Sequence, residues 1–213
     1  AGHAAVEVLE RAGVEVHVPA GQTCCGQPAY NAGFAADAAA MARATIDALS
    51  RAADPVVVPS GSCADMIVHH YPALLAGDAE YRPKAAELAG RTYEFTQFLV
   101  DVLGVDPPAA QAGPTIAYHA SCHGLRGLGL REQPRRLLRA AAGARCVDLP
   151  DAETCCGFGG LFAVKMGPLS SAMLDAKLDA IERSGTDVVV ATDVSCLMHI
   201  GGGLHRRKSR VRT

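Results

Sequence analysis

Several features that mark other protein classes are missing from this chain of 213 residues. No apolar run reaches the roughly 20 residues that a helix needs to cross a bilayer, and no signal peptide opens the sequence. The formal net charge is only −2, which argues against a nucleic acid or an anionic membrane surface as partner. The sequence therefore predicts no transmembrane segment, no nucleic-acid partner and a cytoplasmic location.

Nucleotide-binding motifs are missing as well. The segment "GFGG" (Gly157–Gly160) matches neither the phosphate loop G-x-x-x-x-G-K-[ST] nor the dinucleotide fingerprint G-x-G-x-x-G, so phosphate binding is an alternative that its spacing disfavours. No flavin or nicotinamide motif is visible. Hydride removal from a substrate is therefore not expected from this chain alone, and no catalytic residue is assigned.

Strand and helix patterns alternate along the chain. Apolar runs predict strands at Val14–Pro19, at "PVVVP" from Pro55, at Thr115–Cys122, Arg145–Pro150 and Thr186–Cys196. Helical spacing predicts helices at Ala4–Ala12, Gly33–Ala52, Pro83–Leu103, Gln133–Ala142 and Pro168–Ser184. This alternation favours an α/β fold with parallel sheets. In such sheets the loops that follow the strands share the C-terminal edge.

The two halves of the chain are a repeat. "VHVPAGQTCCG" aligns with "VDLPDAETCCG" at a shift of 131 residues, and "PVVVPSGSC" aligns with "DVVVATDVSC". We predict two duplicated cysteine-rich α/β halves, 1–104 and 115–213, with a Pro- and Gly-rich linker at 105–114. Cys122 precedes its Cys-Cys pair by 33 residues, and the equivalent cysteine of the first half would precede residue 1. We therefore expect the chain to be a piece of a longer protein.

The cysteines repeat in the same order as the strands. A complete half carries one cysteine after a first strand, an adjacent pair before a glycine, and one cysteine after a later strand. The candidate metal ligands are Cys24, Cys25 and Cys63 in the first half, and Cys122, Cys155, Cys156 and Cys196 in the second. Four thiolates match the ligand count of an iron–sulfur cluster or of a Cys₄ zinc site. Adjacent cysteines favour a multi-iron cluster, because each can bind a different iron, whereas structural zinc sites use spaced pairs.

Glycines accompany each cysteine pair. We expect Gly26, Gly157, Gly159 and Gly160 to adopt positive φ and to let backbone amides approach a bound cofactor closely. Such amides tune the potential of cluster sulfurs.

Other polar residues near the cysteines have two interpretations each. His119, His123 and His199 lie close to cysteines in the sequence, and they are candidates for ligands, proton carriers or hydrogen-bond donors, or else for structural histidines. Cys146 lies inside a strand and has no counterpart in the first half, so we expect it in the core. Asp193 and Lys165 are predicted to be exposed charges.

The motifs "CCGQPAYNAG", "PSGSC", "CCGFGG" and "SCLMHIGGGL" resemble those of the lactate-utilisation protein A family over essentially the whole chain. That family lies within a wider CCG domain group that includes the CCG-containing subunit of heterodisulfide reductase and the iron–sulfur subunit of glycolate oxidase. The resemblance implies a cytosolic, multi-protein system that oxidises L-lactate to pyruvate. This chain would pass electrons in it alongside a ferredoxin-like iron–sulfur subunit and a third subunit.

The chain departs from the heterodisulfide reductase branch at one motif. There each CCG domain carries a non-cubane iron–sulfur cluster closed by a C-x-x-C, and here Ser60 and Asp193 replace its first cysteine. The resemblance thus implies an iron–sulfur cluster, for which we expect the [4Fe–4S] type, with cubane and non-cubane forms both open. Two alternatives stay open beside it, a zinc-binding scaffold subunit and a metal-free thiol–disulfide redox protein.

Overall fold

The computed structural model describes residues 2–50, 52–106, 113–140 and 145–213. Their contacts divide the chain into two compact units, Ala1–Leu99 and Val100–Thr213. Most of the predicted linker falls on residues 107–112, which lie outside the described residues. Within the described ranges, no helix is both long enough and apolar enough to span a membrane.

The first unit contains a sheet of two parallel strands. Val57 of β1 (Val56–Val58) lies opposite Tyr93 of β2 (Thr92–Glu94). The helices of this unit are α1 (Gly2–Arg11), α2 (Gln27–Asn31), α3 (Ala35–Leu49), α4 (Gly61–Asp65), α5 (Tyr71–Leu74), α6 (Tyr81–Gly90) and α7 (Phe95–Gln97). A π-helical turn, Met66–His70, joins α4 to α5, and a second one, Phe98–Val102, follows α7.

The core of the first unit is built around one face of α3, and Val56 and Val58 of β1 pack against this core. Ala38, Ala42 and Ile46 recur every four residues along α3 and are completely buried, as expected for one face of an amphipathic helix. Cys25 is part of the same core cluster as Ile46 and Tyr71. The first cysteine pair is therefore anchored in the core by its second member.

The second unit contains a three-stranded parallel sheet in the order β4-β3-β5. Its strands are β3 (Thr115–Tyr118), β4 (Arg145–Val147) and β5 (Val188–Val190), and its helices are α8 (Gln133–Ala140), α9 (Leu161–Lys165), α10 (Gly167–Arg183) and α11 (Val194–Arg206). A π-helical turn, His123–Gly127, follows Cys122. Arg212 forms a parallel bridge with Val188, at the side of β5 that corresponds to β2 beside β1.

The helix α10 is the central packing element of the second unit. Its buried face carries Ser170, Leu174, Lys177, Leu178 and Ile181, which follow the helical period of 3.6 residues. Leu174, Leu178 and Ile181 belong to the same core cluster as Cys156. The second cysteine pair is thus anchored in its core as the first pair is.

The predicted α/β class, with duplicated parallel sheets, is confirmed. The predicted placement of the cysteines after strand ends is also found. Cys63 follows β1, Cys122 follows β3 and Cys196 follows β5, each at the carboxyl end of its strand.

The predicted strand at Val14–Pro19 is wrong, because these residues form no regular element. The alternating pattern is real, but a strand also needs a neighbour to which its backbone can bond. In the second unit the equivalent β4 pairs with β3. The described part of the first unit has no strand in the place of β3.

The predicted helix at Pro83–Leu103 is interrupted. α6 ends at Gly90, and Thr92–Glu94 form β2 before the short α7 begins. Glu94 starts α7 with a capping box, in which its carboxylate accepts hydrogen bonds from the backbone amides of Thr96 and Gln97. The parallel pairing with β1 therefore overrides the helical pattern.

The prediction that Cys146 lies in the core is wrong. Cys146 does lie in β4, opposite Ile116, but its side chain is exposed. Because β4 is the edge strand of the sheet, it is covered on fewer sides than β3. The prediction that Asp193 is exposed is also wrong, since only 3% of this residue is accessible.

Candidate metal centre

The second CCG turn (Cys155–Gly157) lies between β4 and α9 and directs backbone amides at sulfur. The amide of Gly157 donates to Cys155 Sγ over 3.3 Å, and the amide of Phe158 lowers the pKa of Cys156. Gly157 has φ 86°, a left-handed conformation that costs an L-residue free energy. Consecutive amide donors of this kind stabilise negative charge on sulfur.

Glycine at position 157 is also required by close packing. A Cβ added there would lie 2.6 Å from the carbonyl oxygen of Ser170 and 2.9 Å from Met173 Cβ. The hydroxyl of Ser170 donates to the Gly157 carbonyl over 2.8 Å. The turn is therefore held directly against α10.

Four sulfurs converge at the C-terminal edge of the second sheet. Cys122 ends the loop after β3, and Cys196 lies in the first turn of α11. The sulfurs of Cys122 and Cys155, of Cys155 and Cys156, and of Cys156 and Cys196 lie close enough to shift one another's pKa. The predicted ligands of the second half are thus brought together.

The thiols of this cluster share their protons unequally. The Cys122 thiol, followed by the Cys156 thiol, lowers the pKa of Cys155. The Cys156 thiol, with a further contribution from His119, lowers the pKa of Cys196 to about 6, against burial, which raises it. Cys155 raises the pKa of Cys122 and of Cys156, and burial adds to both effects. The lowered pKa of Cys155 and of Cys196 favours thiolate at these two sulfurs, and thiolate is the form that binds metal.

His119 lies against this sulfur cluster. One ring nitrogen of His119 and the sulfurs of Cys156 and Cys196 all lie within 4.8 Å of one another. His119 is completely buried, and neither ring nitrogen has a partner in a well-formed hydrogen bond. The ring lies close enough to Cys196 to lower its pKa.

A buried lysine lies beneath the cluster. Only 1% of Lys177 is accessible, and its ammonium donates to the carbonyl of Asp151 over 2.6 Å. Burial lowers the pKa of Lys177, while the neighbouring sulfurs of Cys156, Cys122 and Cys155 act to raise it. Lys177 therefore supplies a positive charge close to the sulfurs.

Asp193 starts α11 and is engaged there. Its carboxylate accepts a hydrogen bond from the Ser195 amide over 3.2 Å and one from the Ser195 hydroxyl over 2.5 Å. These bonds satisfy a free amide at the helix N-terminus. They also hold the first turn that carries Cys196.

The first unit repeats this arrangement with fewer donors. Cys25 Sγ lies 3.2 Å from Cys63 Sγ, and this hydrogen bond, together with burial, raises the pKa of Cys25. Cys24 is exposed. Gly26 has φ 85° and lies against Ala38 and Met41 of α3, as Gly157 lies against Ser170 and Met173 of α10. The hydroxyl of Tyr71 donates to the Cys25 carbonyl over 2.8 Å.

The remaining predicted site residues surround these clusters. Gly159 and Gly160 adopt φ 52° and 59° and lead the chain into α9. His199 packs on Phe158, with ring centroids 5.7 Å apart, and burial lowers its pKa. His123 begins the π-helical turn after Cys122. Lys165 is exposed, as predicted.

Lys177 is the residue near the sulfurs that sequence reasoning missed. It lies seven positions after Ser170 on α10, and residues at this spacing share one face of a helix. Leu174 and Leu178 on either side mark that face as buried. This helical spacing was the available signal.

The donor set fits an iron–sulfur cluster or a thiolate-bound metal ion. It offers four sulfurs, amide donors to two of them, and a buried imidazole with unsatisfied nitrogens. Soft thiolate ligands select iron–sulfur clusters and zinc over magnesium or calcium.

Comparison with known proteins identifies both a domain family and similar whole chains. The family called Cysteine-rich domain matches residues 1–68 and 116–201. A Lactate utilization protein A 2 of Bacillus cereus is 44% identical over 210 residues, which cover 99% of this chain and 86% of that protein. Lactate utilization protein A of Geobacillus thermodenitrificans is 49% identical over 205 residues, which cover 96% of this chain and 85% of the relative. The chain therefore belongs to the lactate utilization protein A family, with two matches to its cysteine-rich domain.

Proposed function

We propose that this chain is an iron–sulfur electron-transfer subunit of a multi-protein oxidoreductase that oxidises L-lactate to pyruvate. The observation that carries the proposal is the convergence of Cys122, Cys155, Cys156 and Cys196 at one sheet edge. The names of the relatives give the lactate assignment. A [4Fe–4S]-type cluster would supply one-electron transfer when bound.

The residues of the chain would bind and tune this cofactor. The four cysteines would be ligands, and the amides of Gly157 and Phe158 would donate hydrogen bonds to sulfur. Burial of Cys156 in the core cluster would limit access of water to the site. These contacts are the ones through which a protein sets the potential of a cluster.

The partner subunits and the cellular location that we propose for this chain are based on its family. We propose that its partners are a ferredoxin-like iron–sulfur subunit and a third subunit of a lactate-utilisation complex, and that the complex works in the cytoplasm. Lactate oxidation releases two electrons, whereas a cluster carries them singly. The hydride-removing group would therefore belong to a partner.

The first unit supports a second candidate chemistry. The sulfurs of Cys25 and Cys63 are 3.2 Å apart, and Cys24 directly precedes Cys25 in the chain. These ligands can hold a second or degenerate metal site. Alternatively, the two thiols can be oxidised to one disulfide by a small-molecule disulfide, which is reduced to two thiols. Mass spectrometry of the oxidised protein would reveal a Cys25–Cys63 cross-link as the loss of two hydrogens.

Replacing Lys177 by methionine is expected to make the potential of the second-unit centre more negative. The reduced centre carries more negative charge than the oxidised centre. Removing the buried cation therefore takes more electrostatic stabilisation from the reduced form than from the oxidised form. At a fixed potential, we expect the ratio of reduced to oxidised protein to fall about tenfold. A redox titration followed by EPR measures this ratio.

The control for Lys177→Met is Lys165→Met, which removes an exposed positive charge from α9. Solvent screens an exposed charge, so its loss is expected to change the potential little. Equal potentials in the two variants would contradict the role given to Lys177.

Deletion of the gene for this chain from its host tests the proposed function. The deletion strain is expected to lose growth on L-lactate as sole carbon source and to retain growth on pyruvate. The wild-type gene should restore growth on L-lactate, and the Cys156→Ser gene should not. Normal growth of the deletion strain on L-lactate would refute the lactate assignment.

A further inference from the structure

His119 is a buried histidine whose ring nitrogens make no hydrogen bond within the described residues. The residue lies directly after β3, and it is 0% accessible. Both of its ring nitrogens are buried without a hydrogen-bond partner. A neutral imidazole has one donor and one acceptor nitrogen, and leaving both desolvated costs free energy unless a further group binds one of them.

The unsatisfied ring faces two sulfurs. One nitrogen of His119 lies within 4.8 Å of Cys156 Sγ and of Cys196 Sγ, which lie within the same distance of each other. Around one tetrahedral metal ion such N–S and S–S separations are about 3.5–3.8 Å. The three donor atoms therefore lie only about 1 Å farther apart than the ligands of a single ion, close enough to bind one metal centre.

Two other polar side chains near the sulfurs have assigned contacts. The carboxylate of Asp193 caps α11 through Ser195, and the ammonium of Lys177 donates to the Asp151 carbonyl. An ammonium has no lone pair with which to bind metal. His199 Nε2 is also buried without a partner, but that ring packs on Phe158. His119 is the nitrogen donor that lies within 4.8 Å of two of the cysteine sulfurs.

We propose that His119 is a ligand of the second-unit metal centre, bound through a ring nitrogen next to Cys156 and Cys196. This inference rests on the proposed function in one respect, namely that the second unit binds metal. A neutral imidazole adds no negative charge, unlike another thiolate. Histidine ligation accordingly raises the potential of iron–sulfur centres relative to cysteine ligation, and it gives the second unit a donor for which the described first unit has no equivalent.

Pulsed EPR on protein labelled with ¹⁵N-histidine tests the ligation directly. In the reduced, iron-loaded wild-type protein we expect a strong hyperfine coupling from one directly bound nitrogen. The coupling should disappear in His119→Ala and in His119→Gln, which keeps a polar side chain. It should persist in His205→Ala, a control that removes an exposed histidine of α11, the helix that carries Cys196.

A cobalt titration of the metal-free protein provides a second readout that does not depend on iron loading. Co²⁺ should give thiolate-to-cobalt absorption in the wild type and in His205→Ala. Loss of the His119 ligand should weaken Co²⁺ binding by more than about 100-fold, because losing a group that only hydrogen-bonds to a ligand costs about 10- to 100-fold. Circular dichroism of each variant establishes that it remains folded.

The outcomes separate this inference from the proposed function. Iron-loaded protein without a nitrogen coupling, or with a coupling that survives His119→Gln, would overturn His119 ligation and leave the electron-transfer role intact. Protein that holds no iron would overturn the electron-transfer role. In that case the Co²⁺ affinities alone decide whether His119 is a ligand, and equal affinities in wild type and His119→Gln would refute it.

Discussion

Cys156→Ser is expected to remove iron from the second unit while the chain remains folded. Cys156 is central in the sulfur cluster, because its sulfur lies close to both Cys155 and Cys196 and accepts a hydrogen bond from the backbone amide of Phe158. Serine is nearly isosteric, but its hydroxyl does not replace a soft thiolate ligand of iron. Iron and acid-labile sulfide per chain measure the loss, and far-UV circular dichroism measures the fold.

The matched control is Cys146→Ser. Cys146 also lies in the second unit, but it is exposed on the edge strand β4. We expect this variant to keep the iron and sulfide content of the wild type. Full iron content in Cys156→Ser would contradict the ligand assignment, and substantial iron loss in Cys146→Ser would show that the effect is not specific to the cluster.

Gly157→Ala is expected to destabilise the second unit and to impair metal binding together. The new methyl group would lie 2.6 Å from the Ser170 carbonyl oxygen, on a backbone with φ 86°. The clash with the backbone of α10 and the left-handed conformation together should lower the free energy of unfolding by about 2–4 kcal/mol. Urea denaturation of the metal-free protein measures this change separately from cofactor loss.

Gly185→Ala separates the clash from the conformation. Gly185 has φ 66°, and a Cβ there would have no neighbour within 4 Å. In this variant the free energy of unfolding should fall only by the cost of the left-handed conformation, about 1–2 kcal/mol. The variant should keep its iron. If Gly157→Ala were no more destabilising than Gly185→Ala, the packing of the CCG turn on α10 would not be the constraint described here.

The parts of the protein that repeat were predictable from the sequence. The cysteines and their glycines recur at nearly constant spacing, so the sequence alone predicts that Cys25 and Cys156 lie in equivalent turns. The parallel sheet followed from alternating strands and helices. The loops after β3 and β5 then had to meet at one edge, which is where Cys122 and Cys196 lie.

The misplaced elements depend on partners distant in the sequence. β2 is three residues long within a helical pattern, and its partner β1 lies about 36 positions earlier. Cys146 satisfies strand alternation, but exposure on an edge strand depends on what covers the sheet. Lys177 has the composition of a surface residue, yet it is buried because α10 turns that face towards the sulfurs.

The measurement that tests the central claim most directly is the iron and acid-labile sulfide content of anaerobically purified protein, with EPR spectra before and after reduction. An electron-carrying subunit should contain about four irons or more per chain, with matching sulfide and a signal that appears or changes on reduction. Absence of iron after anaerobic reconstitution, with stoichiometric zinc or only titratable thiols, would contradict it.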